Sequence, residues 1–371
     1  MSRTLPLALA LAFVAGCYQN DFTHDAALDA MDAVAIDTAT PPADGATPSD
    51  GGPITAPDEQ WTWIPMDDVI CGNGSTSGIG VNLTHRSNDV LVVVQGGGAC
   101  WDVNTCFVIH AASNIDTPYQ QAQFDSDVSA GGNVLVFDRA STENPFRNAN
   151  YIFVPYCTGD LHAGDRVVTY SAAGQTRDVH HVGSRNMRAI LSRLQQTFTN
   201  PRRVWWTGFS AGGYGATLNW ERARDAFPTA RVDLLSDCGD PITPANHWHE
   251  WITTWSMQLP PGCTECATNL TAVVDHAVAN TPMARYAWLA YQQDGVLSAF
   301  YGISGAEMQT LTTQTQTYAD TQSAWRYFIL PGTRHVMLGD ARTLAAADGQ
   351  TLRGFMTAWA TDDPAWRSSH P

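Results

Sequence analysis

The sequence predicts an α/β fold, a mostly parallel sheet with helices on both faces, and three observations carry that expectation. Between residues 90 and 359, β-prone apolar runs alternate with stretches patterned as helices. Several of the runs are continuously apolar instead of alternating, as strands buried on both faces are. The stretch Val204-Trp-Trp-Thr-Gly-Phe-Ser-Ala-Gly-Gly-Tyr-Gly-Ala216 reads as strand, sharp turn and helix in immediate succession. In sheets of this kind, sites form at the carboxyl ends of the strands.

Taken in order, strands are expected at residues 90–95, 134–138, 151–156, 204–207, 232–236, 286–291 and 325–330. Helices are expected at 184–198, at 211–227 before Pro228, at 268–278 and at 344–359. The Trp-rich segment 246–255 and the Gln/Thr stretch 308–321 look like insertions on that scaffold.

The amino-terminal end has a separate character. Arg3 precedes an apolar run from Leu5 to Val14, and Val14-Ala-Gly-Cys17 fits a bacterial lipoprotein cleavage box, so residues 1–17 are expected to be a lipoprotein signal with Cys17 lipidated. The run is too short to span a bilayer. Tyr18 after the cysteine favours an outer-membrane destination in a diderm host. Residues 18–60 are rich in Asp, Ala, Thr, Pro and Gly and carry no basic residue, the composition of a disordered acidic tether. Residues 61–371 are then long enough for one large decorated domain.

Net charge is −16, and all 20 basic residues are arginine with no basic cluster, which argues against nucleic-acid binding. Eight cysteines in an exported chain suggest disulfides. Lipidation of Cys17 leaves an odd number, so at least one is unpaired or intermolecular. Cys100 and Cys106 are spaced for a local clamp. Cys263-x-x-Cys266 allows a disulfide, a redox site or half a zinc site, and Cys71, Cys157 and Cys238 complete the set.

Chemistry concentrates at Gly208-x-Ser210-x-Gly212, the spacing of a nucleophile elbow, where glycines flank a strained turn that exposes the serine hydroxyl. The run 90–95 leads into Gly96-Gly-Gly-Ala-Cys-Trp101, a loop able to bring backbone N–H groups close to a ligand. This loop is the candidate source of one oxyanion N–H and Ala211, the residue after the serine, of another. A base must follow the serine and acid in the chain, and His335 lies directly after the 325–330 strand. Asp294, after the 286–291 strand, is the favoured acid, although it also suits a helix N-cap before Gly295. Asp237 and Asp240 compete with it. His247-Trp-His249 suggests a pocket-lining or surface loop more than a metal site, for want of a third ligand.

These motifs resemble those of the pectin acetylesterase and Notum family of secreted serine esterases. The resemblance rests on Gln95-Gly-Gly-Gly-Ala-Cys-Trp101, Val154-Pro-Tyr-Cys-Thr-Gly-Asp160 and Gly208-Phe-Ser-Ala-Gly-Gly-Tyr-Gly215, followed by Gln293-Asp294 and Gly332-Thr-Arg-His335. It implies an α/β-hydrolase-like fold, a Ser210, Asp294, His335 triad, and an oxyanion site from Gly97, Gly98 and Ala211. Cys238 departs from it, standing where an Asp-Ser-Gly-like turn is familiar. Plant members deacetylate pectin, whereas Notum removes a fatty acyl group from a protein.

The expected activity is therefore hydrolysis of carboxylic esters outside the cytoplasm, removing O-acetyl groups from a polysaccharide without metal or cofactor. Trp101, beside the glycine run, is the candidate sugar-stacking residue. The alternatives are an esterase for longer acyl chains and a surface carbohydrate-binding lipoprotein without turnover. The membrane partner is expected through Cys17.

Overall fold

Runs such as Val90–Val94 and Tyr286–Tyr291 offer no polar face to water, so they need cover on both sides, and they form interior strands of an eight-stranded sheet. The computed structural model describes residues 51–370 apart from 132, 133, 173, 245 and 282. Its strands are β1 (Thr62–Ile70), β2 (Thr76–Asn82), β3 (Val90–Val94), β4 (Asn150–Val154), β5 (Arg166–Ala172), β6 (Gln175–His181), β7 (Arg203–Phe209), β8 (Arg231–Asp237), β9 (Tyr286–Tyr291) and β10 (Trp325–Leu330). Its helices are α1 (Gln121–Gly131), α2 (Gly183–Thr197), α3 (Ala211–Leu218), α4 (Trp220–Ala226), α5 (Trp248–Trp255), α6 (Thr271–Asn280), α7 (Gly295–Tyr301), α8 (Gly305–Ala319) and α9 (Leu352–Ala360).

The sheet order is β1-β2-β4-β3-β7-β8-β9-β10, parallel from β4 to β10 and antiparallel where β2 joins β1 and β4. Pleating divides each run between two cores. Val90, Val92, Val94, Trp206, Leu234 and Trp288 pack against α2 and α4, while Leu91, Val93, Trp205, Leu235 and Leu289 face Phe355, Met356 and Trp359 of α9. A third cluster, with Tyr156, Leu161, Tyr214, Trp251, Trp255, Leu297 and Tyr301, covers the carboxyl ends of the strands.

Several expectations need correction. Residues 134–138 are not a strand: Leu135–Phe137 form a 3-10 turn whose Leu135 and Val136 are buried. This run joins no strand ladder and contributes buried side chains to the core that faces α9. The helix expected at 211–227 breaks at Asn219, whose amide donates to the carbonyls of Gly215 (2.9 Å) and His162 (3.0 Å). The last helix begins only at Leu352, after a Thr351 cap. The two supposed insertions are helices: 246–255 contains α5, and 308–321 belongs to α8, which opens with a Ser304–Glu307 capping box.

The tether boundary also moves. Ile54 is buried in the core, its N–H donating to Thr197 Oγ1 at 2.9 Å, and Glu59 N donates to Leu83 O at 2.7 Å. Residues 54–60 therefore pack on the domain and do not lie outside it. Cys17, the signal and tether residues 18–50 lie outside the described residues. Among the described residues no helix is long and apolar enough to cross a membrane.

Candidate active site

Ser210 sits between β7 and α3 with φ 54° and ψ −127°, a region that costs a non-glycine residue about 1–3 kcal/mol. The surroundings hold it there: Ser210 N donates to Asp237 O at 2.7 Å, and Ser210 O receives Gly213 N at 2.8 Å. The flanking glycines are required by close approach. A Cβ on Gly208 would lie 2.1 Å from Gly212 O, and one on Gly212 would lie 2.1 Å from Val94 O.

Asp294 follows β9 and His335 follows β10, so the structure brings both to the same sheet end as Ser210. His335 Nε2 is 2.7 Å from Ser210 Oγ, and His335 Nδ1 is 2.6 Å from Asp294 Oδ2. A carboxylate only accepts, so Nδ1 carries the proton and Nε2 is free to receive the serine proton. Burial disfavours the imidazolium, but the charge and hydrogen bond of Asp294, joined by the charge of Asp237, outweigh it and raise the His335 pKa above its ordinary value.

The competing acids are placed elsewhere. Asp237 accepts from Met337 N through both oxygens, at 3.0 and 2.8 Å, and from Leu338 N at 2.8 Å, fixing the loop just past His335. Asp240 accepts from Trp288 Nε1 at 2.8 Å. Cys238 Sγ receives Val336 N at 3.2 Å, and burial together with the neighbouring carboxylates raises its thiol pKa well above normal.

The glycine loop lies against the serine. A Cβ on Gly96 would meet Phe209 O at 2.3 Å and Ser210 Cβ at 2.8 Å. Ala99 N and Cys100 N donate to Ala111 O and Gly159 O, whereas the N–H groups of Gly97, Gly98 and Ala211 have no acceptor among the described residues. Gly98, Ser210 and Ala211 line one cavity with Ala99, Leu161, Tyr214, Trp251, Val296, Leu297, Phe300 and Tyr301. The cavity is open to solvent on one side and small, about 20 Å³ where one water needs roughly 10–15 Å³ on the same measure.

Trp101 is 9% exposed, its ring centroid 5.0 Å from that of His247 and 5.3 Å from that of Trp251. That corrects the expectation of an open stacking face: Trp101 buttresses the cavity wall through Trp251. His247 Nδ1 is 3.1 Å from Glu250 Oε2, and among the described residues His247 and His249 do not come together with a third ligand. Disulfides join Cys100 to Cys106, Cys263 to Cys266, and Cys71 to Cys157, leaving Cys238 as the free, buried thiol among the described cysteines. The Cys-x-x-Cys pair is thus a closed loop, not a zinc half-site.

Sequence reading missed the cavity wall. Leu161 follows the Val154–Asp160 motif by one residue, and Trp251 lies in the segment read as an insertion. Val296, Leu297, Phe300 and Tyr301 sit on α7 immediately after Asp294, so the 3.6-residue period from the acid was the available signal.

A parallel sheet covered on both faces, with a serine on a strained strand-to-helix turn and a histidine and acid from later strands, is an α/β-hydrolase-like architecture. A family model described as pectinacetylesterase matches residues 60–246, half of the chain, and the chain belongs to that family. The match includes the glycine loop and Ser210 but ends before Asp294 and His335. Palmitoleoyl-protein carboxylesterase NOTUM of Drosophila melanogaster is 25% identical over 216 residues, 53% of this chain and 31% of that protein. Pectin acetylesterase 11 of Arabidopsis thaliana is 29% identical over 175 residues, 46% of this chain and 42% of that protein. NOTUM of Homo sapiens is 24% identical over 178 residues, 46% of this chain and 34% of that protein. The chain thus spans less than half the length of these relatives.

Proposed function

We propose that the protein is a serine esterase that removes O-acetyl groups from a polysaccharide. The observation that carries this reading is the hydrogen-bonded series Asp294, His335, Ser210 opening on a small apolar cavity beside unpartnered backbone N–H groups. Ser210 Oγ attacks the acyl carbonyl as His335 Nε2 takes its proton. The N–H groups of Gly97, Gly98 and Ala211 receive the oxyanion, and His335 returns the proton to the departing sugar hydroxyl. Water, activated by the same histidine, then hydrolyses the acyl-enzyme. The polysaccharide rests on the pectin acetylesterase relatives, and the acetyl group also on the cavity's size.

The apolar lining from Val296, Leu297 and Phe300 favours one second reading, a deacylase for longer chains like the NOTUM relatives. A fluorophosphonate probe and a p-nitrophenyl ester series from acetate to dodecanoate, run on wild type and Ser210→Ala, test the proposal. Labelling of wild type alone with turnover highest on acetate is expected. A maximum at octanoate or longer supports the deacylase, and absence of both labelling and turnover rejects an esterase. The three disulfides support an oxidising compartment outside the cytoplasm. We further propose lipid anchoring through Cys17. Release of active Cys17→Ser protein from membranes would support it, and retention after a salt wash would end it.

A further inference from the structure

His162 lies in the β4–β5 connection, two residues after the Val154–Asp160 motif, and takes no part in the proton path. Its imidazole Nε2 is 2.9 Å from Gln95 O, the carbonyl immediately before Gly96. An amide carbonyl only accepts, so Nε2 is the protonated nitrogen and donates. Gln95 is fixed at its other polar atoms too. Its N donates to Val154 O (2.9 Å), its Oε1 accepts from Tyr156 N (3.0 Å), and its Nε2 donates to Asp127 Oδ2 (2.8 Å). The His162 bond is therefore the one that sets the rotation of the peptide entering the loop.

The molecule goes to some length to hold that ring. His162 has φ 57° and is 4% exposed. Its carbonyl accepts from Asn219 Nδ2, the residue that breaks the helix after Ser210. Its N–H donates at 3.1 Å to Asp160 Oδ1. Asp160, itself fully buried, also receives Thr158 Oγ1 (2.6 Å), Gly164 N (3.2 Å) and Gly183 N (2.7 Å), pinning the turn to the start of α2. The imidazole centroid stands 4.6 Å from that of Tyr156. Gly215 leaves room on the other side, since a Cβ there would lie 2.6 Å from His162 Cδ2. The ring thus sits between the strand that leads into the glycine loop and the helix that follows the serine.

We propose that His162 is a positioning residue for the oxyanion donors: its Nε2–H holds the Gln95 carbonyl so that the Gly97 and Gly98 N–H groups face the cavity above Ser210. Asp160 in turn positions His162. This rests on the esterase reading above. Burial pushes the His162 pKa down to about 4 against the opposing hydrogen bond to Gln95, so the ring stays neutral throughout the working pH range.

A donor fixed before the reaction acts on the transition state, not on the ground-state ester, so loss falls on kcat. His162→Phe keeps the ring volume without the donor. His162→Gln places an amide nitrogen near the imidazole Nε2 position, and His162→Asn, which tolerates a left-handed backbone, is too short to reach. On p-nitrophenyl acetate we expect His162→Phe and His162→Asn to lower kcat by about 30–300-fold, given that removing one oxyanion donor costs roughly 10²–10³. KM should stay within about twofold, and His162→Gln should recover kcat to within about tenfold of wild type with the pH profile unchanged. Thermal melts accompany each variant, and His162→Asn serves if His162→Phe does not fold. Normal kcat in a donor-less variant, a loss carried by KM, or a Gln variant no better than Asn at equal Tm would overturn the assignment. Absence of turnover by wild type would overturn the esterase reading and this inference with it, whereas active wild type with inactive Ser210→Ala isolates the test to His162.

Discussion

Asp294 holds His335 with one carboxylate oxygen and caps a helix with the other. Oδ2 lies 2.6 Å from His335 Nδ1, while Oδ1 accepts from Val296 N and Leu297 N, both at 3.0 Å. The two positions that the sequence set against each other, partner of the histidine and N-cap, are occupied at once. The cap fixes the χ1 rotamer of Asp294, and the residues whose N–H groups it receives are themselves part of the cavity wall.

Two substitutions separate these roles. Asp294→Asn retains a good N-cap but offers His335 the wrong partner, so kcat on an acetyl ester should fall by about four orders of magnitude with little change in Tm, as in a serine protease. Asp294→Ala should lose comparable activity and in addition about 0.5–2 kcal/mol of stability for the missing cap. Thermal melts beside steady-state kinetics check both. Asp294→Asn retaining most of its activity would move the acid elsewhere.

The acid limb of the pH–rate profile should report His335. Asp294 raises its pKa, and the imidazole serves as base only when neutral, so kcat/KM should rise with pH through a value above the ordinary histidine range near 6.5. In Asp294→Asn the residual activity should show its limb shifted to lower pH, because the stabilising negative charge is gone. A limb that does not move between the two proteins would show that Asp294 leaves His335 untuned.

Asp240 gives a pH effect on stability that is independent of catalysis. It is fully buried, and its Oδ2 has no partner among the described residues. Burial, helped by the charge of Asp294, pushes its pKa well above 3.8. A raised native pKa means stability is complete below the unfolded value and is lost as pH rises toward the native one. Asp240→Asn can still accept from Trp288 Nε1 and does not titrate. Its Tm should match wild type near pH 4 and exceed it by roughly 2–5 °C at pH 8. Parallel melting curves across pH would show that Asp240 is not held protonated.

The centre of the sheet was readable because its strands are buried on both faces, and Val90, Val92 and Val94 have no polar interruption between them. That Ser210, Asp294 and His335 come together was readable because parallel topology puts strand ends, and hence the residues that follow them, at one edge. The β1–β2 hairpin was not: Pro65, Asp67 and Asp68 interrupt one strand, and Gly78 and Gly80 thin the other, so neither shows a clean period. Pairing of Cys71 with Cys157, 86 residues apart, depends on where two loops meet, which spacing does not encode. Val134–Asp138 shows the reverse failure, a β-prone run that forms a 3-10 turn and buries Leu135 and Val136 without joining the sheet. Cavity walls are the least legible, since Trp251 lines the same cavity as Ser210 from a helix 41 positions further along the chain, and no local pattern announces that meeting.

Trp251 should decide how long an acyl group the cavity accepts. It is 2% exposed, stacks on Trp255 with centroids 5.6 Å apart, and lines the cavity with Val296, Leu297 and Phe300. The cavity is small and walled by these bulky side chains, so acetyl is expected to suit it better than longer acyl groups. Wild-type kcat/KM should therefore fall from p-nitrophenyl acetate to butyrate and again to octanoate. Trp251→Ala vacates space continuous with the cavity, and a methylene buried there contributes about 0.8 kcal/mol, or roughly fourfold. Two or three of them should raise the ratio of octanoate to acetate kcat/KM by about 15–60-fold. The variant should also lose about 3–5 kcal/mol of stability to the cavity it creates, so Trp251→Leu, which removes less volume, is measured beside it and should shift the ratio in the same direction by less. If both variants stay folded and the octanoate-to-acetate ratio does not rise in either, the limit on chain length lies elsewhere in the wall, and Phe300 becomes the residue to truncate next.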